Sequence, residues 1–168
     1  MSIKEAQEKT TEVALHNRHK LRREFWELTL EALGESSCNL YSNVNAGKDH
    51  WLSAGSGLSA CPYTLIFSTK EVRVHVEMTR SSKEENKFIF DALYQQKDAL
   101  EASFGQALDW LRMDDKKASR IQFSHAVDGF DKANWAEMIE WLVKHLTLLE
   151  ATFKQPLQAV GRELKRHS

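Results

Sequence analysis

Between residues 72 and 79 the chain alternates strictly, with Val72, Val74, Val76 and Met78 interleaved with Arg73, His75 and Glu77. Successive strand side chains point to opposite faces. The segment therefore offers an apolar face to a core and a polar face of Arg73, His75 and Glu77 on the other side. The run 63–69, Tyr-Thr-Leu-Ile-Phe-Ser-Thr, precedes it across Lys70-Glu71, a gap suited to an antiparallel hairpin. A helix is predicted next, over 82–104. Ser82-Lys83-Glu84-Glu85 has capping-box spacing at its start, and Gly105 at its end readily takes the left-handed conformation. An antiparallel pair with one apolar face needs helices to cover that face, and the rest of the chain must supply them.

Upstream, Leu21, Phe25, Leu28 and Ala32 fall at helical spacing within a helix predicted over 16–33, widened by Trp26, Leu30 and Leu33 and stopped at Gly34. A polar loop over 35–48 leads to a short strand around Trp51. Downstream, strands are predicted over 108–113 and 118–123, joined at Asp114-Asp115-Lys116. Ile121 and Phe123 face the core, Arg120 and Gln122 face away, and 125–130 is a loop. Asn134-Trp135-Ala136-Glu137 opens a long helix, again with capping-box spacing, whose face is Trp135, Met138, Leu142, Leu146, Leu149 and Phe153. Pro156 is expected to break or kink it, leaving a last short helix with Leu157, Val160 and Leu164. The order α-β-β-β-α-β-β-α describes one α+β domain with a mostly antiparallel sheet and a long C-terminal helix. That domain spans 15–168, behind a charged, frayed N-terminal extension over 1–14.

A chain of 168 residues with a net charge of -1 can bury a real core and is not coated in basic residues. Cys38 and Cys61 lack the paired spacing of zinc sites and read as reduced thiols. No stretch approaches the roughly 20 apolar residues of a membrane span, and residues 1–11 carry no signal-like apolar run, so a cytoplasmic protein is expected.

The chemistry is less explicit. His16, Arg18, His19, Lys20, Arg22 and Arg23 crowd the first half of the upstream helix, where Arg18, Lys20, Arg22 and Arg23 can meet phosphates or form a solvated face. Arg73, Lys87 and Arg120 make a second candidate surface. Trp51, Arg73, His75 and Glu77 form either a polar pocket or an exposed face laced with cross-strand ion pairs. The glycine-rich stretch 47–58 is neither a phosphate loop nor a nucleophile elbow, because the required frames are missing. Asp49, His50 and Ser53 are too close in sequence to aim at one another as a triad. The element order also invites comparison with PD-(D/E)xK nucleases, which need an acid on one strand and Asp/Glu-x-Lys on the next. Here 63–69 has no acid and Glu77-Met78-Thr79 has no lysine. No catalytic residue, metal ligand set or cofactor motif is assigned.

Several blocks, in order, resemble the bacterial and archaeal family of unknown function DUF4268. They are Arg23-Glu24-Phe25-Trp26, Trp51-Leu52-Ser53-Ala54-Gly55-Ser56-Gly57, Arg73-Val74, Lys83-Glu84-Glu85-Asn86-Lys87, Phe90-Asp91-Ala92-Leu93, Phe104-Gly105, Leu108-Asp109-Trp110 and Arg120-Ile121. The likeness runs from about residue 22 to 157 and departs at His75, where the family pattern is expected to carry an acid. It implies a domain sometimes found downstream of nuclease-like segments, and so an association with DNA restriction or defence. The resulting expectation is a non-enzymatic module that binds nucleic acid or a nuclease partner. Homodimerisation is expected through the broad stripe of the last helix. The alternatives are a dimeric protein-binding or chaperone-like module, or a degenerate nuclease-like enzyme.

Overall fold

The computed structural model describes residues 2–167. In chain order the elements are α1 (Ile3–Gly34), β1 (Trp51–Ala54), β2 (Tyr63–Phe67), β3 (Glu71–Met78), α2 (Lys83–Tyr94), α3 (Lys97–Phe104), β4 (Asp109–Leu111), β5 (Ser119–Ala126) and α4 (Trp135–Arg166). The sheet has five strands in the order β1-β2-β3-β5-β4, and every pairing is antiparallel. β3 is its centre, with neighbours along its whole length on the β5 side. Val72, Val74, Val76 and Met78 are wholly buried, and their partners Phe67, Leu65, Tyr63 and Ile121 share that face.

The helices gather on this one face. Phe25 of α1 stacks on Phe67 of β2 with ring centroids 4.0 Å apart, and Trp135 of α4 meets both rings edge-on. In α4, Met138, Leu142, Leu146, Leu149, Phe153, Leu157 and Val160 are all buried within the single chain. The stripe that looked broad enough for a dimer is covered by the chain's own sheet and helices. Cys38 and Cys61 are free and buried, and burial pushes the Cys61 thiol up to about 11. No helix among the described residues is long and apolar enough to cross a membrane.

Several boundaries differ from the sequence expectation, each for a local reason. α1 begins at Ile3, not near 16, because Ser2 and Glu5 form a full capping box. Its buried stripe is Phe25, Trp26, Thr29 and Leu33, whereas Leu28 is 43% exposed. The predicted helix over 82–104 is two. They meet at a turn over 95–96, and Leu93, Leu100 and Phe104 are all buried. Only half of the box at Ser82 forms: its hydroxyl accepts from the Glu85 N–H, while the Glu85 carboxylate pairs with Arg80.

β5 continues through His125 and Ala126, which pair with Val72 and Glu71, so the loop begins later than expected. Asn134 does not cap α4 through its side chain. A 3-10 turn over Lys132–Asn134, capped by Asp131, leads into that helix. α4 also runs unbroken through Pro156, held by the burial of Phe153 and Leu157 on either side of it.

Gly129 has the tightest surroundings of the glycines. A methyl group there would stand 1.9 Å from the Ser68 carbonyl oxygen, a backbone atom that cannot swing aside. Gly34 has nothing within 4 Å of the same position. In urea denaturation Gly129→Ala is expected to lose about 2–3 kcal/mol or more, by overpacking against backbone. Gly34→Ala, at a helical end, is expected to be neutral or to gain up to ~1 kcal/mol.

Candidate functional site: the polar face of the sheet

The face of the sheet opposite the helices is built by strand register. One cross-strand row holds Trp51, Ile66, Arg73 and Ser124, the next Ser53, Thr64, His75, Gln122 and Asp109, and the third Glu77, Arg120 and Leu111. Each residue in a row points to the same side. Their side chains, with His50, surround a depression of about 410 Å³ lined by Trp51, Ser53, Thr64, Ile66, Arg73, His75, Glu77 and Arg120. Trp51 stands at its edge, 47% exposed. His75 is only 2% exposed.

The hydrogen bonds assign the protons. Arg73 Nε donates to His75 Nδ1 at 3.2 Å, and a guanidinium can only donate, so Nδ1 is the bare nitrogen and Nε2 carries the proton. His75 Nε2 lies 3.6 Å from Glu77 Oε1, within ion-pair reach but too far for a hydrogen bond, and it has no hydrogen-bond partner among the described residues. Thr64 donates to the same Glu77 oxygen at 3.0 Å. A hydroxyl has one proton, so the 2.7 Å contact between Ser53 and Thr64 is donated by Ser53. A chain of donors thus runs from Ser53 through Thr64 to Glu77.

Glu77 faces Arg120 directly across the β3–β5 pairing, yet the two form no ion pair. The carboxylate has turned to Thr64 and His75. Arg120 makes no side-chain hydrogen bond or ion pair among the described residues, and its Nε is buried without a partner, as is Gln122 Oε1 beside it. Arg73 is tied to Glu71 by its other end, at 3.2 Å. Burial, and then the nearby Arg120 charge, hold the Arg73 guanidinium below its ordinary range. Two guanidiniums therefore share one depression, Arg73 paired with Glu71 and Arg120 opposite a Glu77 carboxylate that is already engaged.

The basic half of α1 adjoins this face through the loop before β1. Trp26 Nε1 donates to the Asp49 carbonyl at 2.8 Å, and the Phe67 N–H bonds the His50 carbonyl at 2.8 Å. His19 feels the charges of Arg18, Arg22, Lys48 and Asp49, and it is held below its ordinary value by desolvation first and then by Lys48. Arg22 Nε is buried without a hydrogen-bond partner. Arg18, Lys20 and Arg23 are exposed.

Of the sequence-predicted residues, the structure brings Trp51, Arg73, His75, Glu77 and Arg120 together. It sets Arg18 and Arg22 beside the adjoining loop and leaves Lys87 apart. Lys87 lies in α2, on the helical side, where its buried ammonium donates to the carbonyls of Arg112, Met113 and Ala118 and to Ser119 Oγ. It holds the turn between β4 and β5 and faces no cavity shared with Arg73. Sequence reading set Gln122 on this face beside Arg120 but missed His50, Ser53 and Thr64 as parts of it. Thr64 and Ser53 were recoverable only by pairing β1 to β2 in register, which the glycine-rich connection conceals. No group of three or more His, Cys, Asp or Glu placed to hold a metal occurs among the described residues.

The proton assignment has a consequence for stability. Burial first, then the Arg73 and Arg120 charges, depress His75, although Glu77 opposes them. His145 is also depressed, chiefly by burial. A depressed imidazole binds fewer protons folded than unfolded, so its contribution is full above about pH 6.5 and is lost as pH falls through the folded value. Glu77 is held low, first by His75 contact, and its contribution goes only below the ordinary carboxylate range. Urea midpoints are therefore expected to fall between pH 6.5 and 5, and His75→Gln to flatten that slope. An unchanged slope in the variant would refute the assignment of a neutral His75.

Comparison with curated proteins gives no match, and neither does comparison with solved structures. The model of one family, described as a domain of unknown function, matches residues 21–157, which takes in β1 to β5, the whole polar face and the adjoining part of α1. The chain belongs to the DUF4268 family.

Proposed function

We propose that this domain is a non-enzymatic module that binds single-stranded nucleic acid across the polar face of the sheet and the adjoining basic half of α1. The observation that carries the reading is the unpaired Arg120. Its carboxylate neighbour across the sheet has turned away, and its buried Nε has no partner. A buried guanidinium nitrogen without a hydrogen-bond acceptor is costly unless an acceptor completes it. Arg73 shares the same depression, and Arg22 presents a second buried, unpartnered Nε beside the loop that leads to Trp51.

Single strands suit this surface better than duplex. A flat sheet face edged by an exposed indole lets an unstacked base lie on Trp51, while guanidiniums track the phosphates.

The test is fluorescence anisotropy of a labelled oligonucleotide over a salt series. Each cation that meets a phosphate contributes about 0.7 to the slope of log affinity against log salt for a single strand. Arg120→Gln and Arg22→Gln are each expected to lower that slope by about this amount. Trp51→Ala is expected to cost roughly 1–3 kcal/mol of binding with the slope unchanged. Absence of binding at about 50 mM salt, or slopes indifferent to both arginine changes, would remove the reading.

A further inference from the structure

Three unpartnered polar atoms meet on the polar face: His75 Nε2, Arg120 Nε and Gln122 Oε1. The first two are donors, given that Arg73 fills His75 Nδ1. They sit deep in the depression, whose edge carries Trp51 and whose wall carries Arg73. Buried donors without a hydrogen bond are uncommon in folded proteins, and two that line one depression, the first 3.6 Å from Glu77 Oε1, mark a place where a further acceptor belongs.

We infer that the depression is a subsite for a terminal phosphate, taking the phosphomonoester end of a strand with the end base laid on Trp51. The inference rests on the strand-binding reading above and deepens it. An internal phosphodiester carries a substituent on both sides and one negative charge. Both neighbours would have to descend with it to bring its oxygens near His75, which is 2% exposed. A monoester enters end-on. It brings three acceptor oxygens and a charge of about -1.5 to -2 to the Arg120 guanidinium, which no ion pair holds among the described residues. A volume of about 410 Å³ lies near the lower end of the range for ligand pockets, roughly 300–1,000 Å³, and admits one nucleotide unit but not a run of them.

Neighbouring residues support this use of the pocket. Thr64, backed by Ser53, holds Glu77 at 3.0 Å, so its carboxylate stays beside His75 and away from Arg120. Arg73 fixes the histidine tautomer that carries its proton on Nε2, 3.6 Å from Glu77. Arg120, with no hydrogen bond to break, is free to turn its guanidinium onto an incoming phosphate. The site needs no proton transfer and no bond to be made or broken.

The experiment compares one short labelled strand in three forms: 5′-phosphorylated, 3′-phosphorylated and without a terminal phosphate. A nucleoside monophosphate and inorganic phosphate serve as competitors. One phosphorylated end is expected to bind about ten-fold tighter or more than the bare strand, the effect of one to two charge-assisted hydrogen bonds. His75→Leu and Arg120→Gln are expected to abolish that preference. His75→Gln, which keeps an amide donor, is expected to retain part of it, and circular dichroism checks that each variant folds. Equal affinity for the three strands would overturn the subsite and leave strand binding standing. Direct binding of the monophosphate by calorimetry, lost in Arg120→Gln, with no strand bound at all would support the phosphate site and sink the strand-binding reading. No binding of any probe would overturn both.

Discussion

Everything in this domain hangs on the eight residues of β3, which are paired on both edges and loaded differently on their two faces. Four wholly buried side chains on one face draw in all four helices. Because the side-chain period is two, the same register that sends Val72, Val74, Val76 and Met78 inward must send Arg73, His75 and Glu77 outward. A slip of one residue would bury a guanidinium, an imidazole and a carboxylate under the helices. The core therefore enforces the site, and the geometry of the polar face is as rigid as the packing beneath it. The second device that fixes this register is Lys87. By gathering three carbonyls and a hydroxyl around one ammonium, it anchors the turn that feeds β5, and so it places Arg120 opposite Glu77 although it takes no part in the face itself.

Much of this was legible in the sequence because it follows from local periodicity. The alternation of β3, the stripe of α4 and the element order require nothing beyond residue spacing. What escaped depends on partners distant in the chain. Lys87 reads as a surface cation until its acceptors, some 25 to 32 residues away, are known to surround it. The breadth of the α4 stripe is explained only once α1, α2 and α3 are seen to share it with the sheet. Pro156 reads as a break until the buried residues on both sides hold the helix through it. Of the site, the composition of one strand was readable. The pairing that adds Thr64 and Ser53 was not, because side-chain hydrogen bonds across three strands leave no pattern along any one of them.

A net charge of -1 seems to argue against an anion-binding surface, but a sum carries no position. Glu71 pairs with Arg73 and Asp109 shares the row of His75, while several other carboxylates of the folded body are engaged away from the depression, Glu24 with Lys132, Glu85 with Arg80, Asp91 and Asp114 with Arg112. Those exposed pairs contribute little to stability. Their effect is on the field, since each pair neutralises a cation elsewhere, while Arg120 and Arg22 keep uncompensated guanidinium nitrogens on and beside the polar face. Glu77 completes the pattern. Had it paired with Arg120, the cross-strand row would be neutral and closed. Its turn toward Thr64 and His75 exchanges one ion pair for a fixed imidazole and a free guanidinium. A sheet surface that needed only stability would favour the ion pair. The arrangement adopted here keeps a positive, donor-rich depression open in a protein that is otherwise balanced in charge.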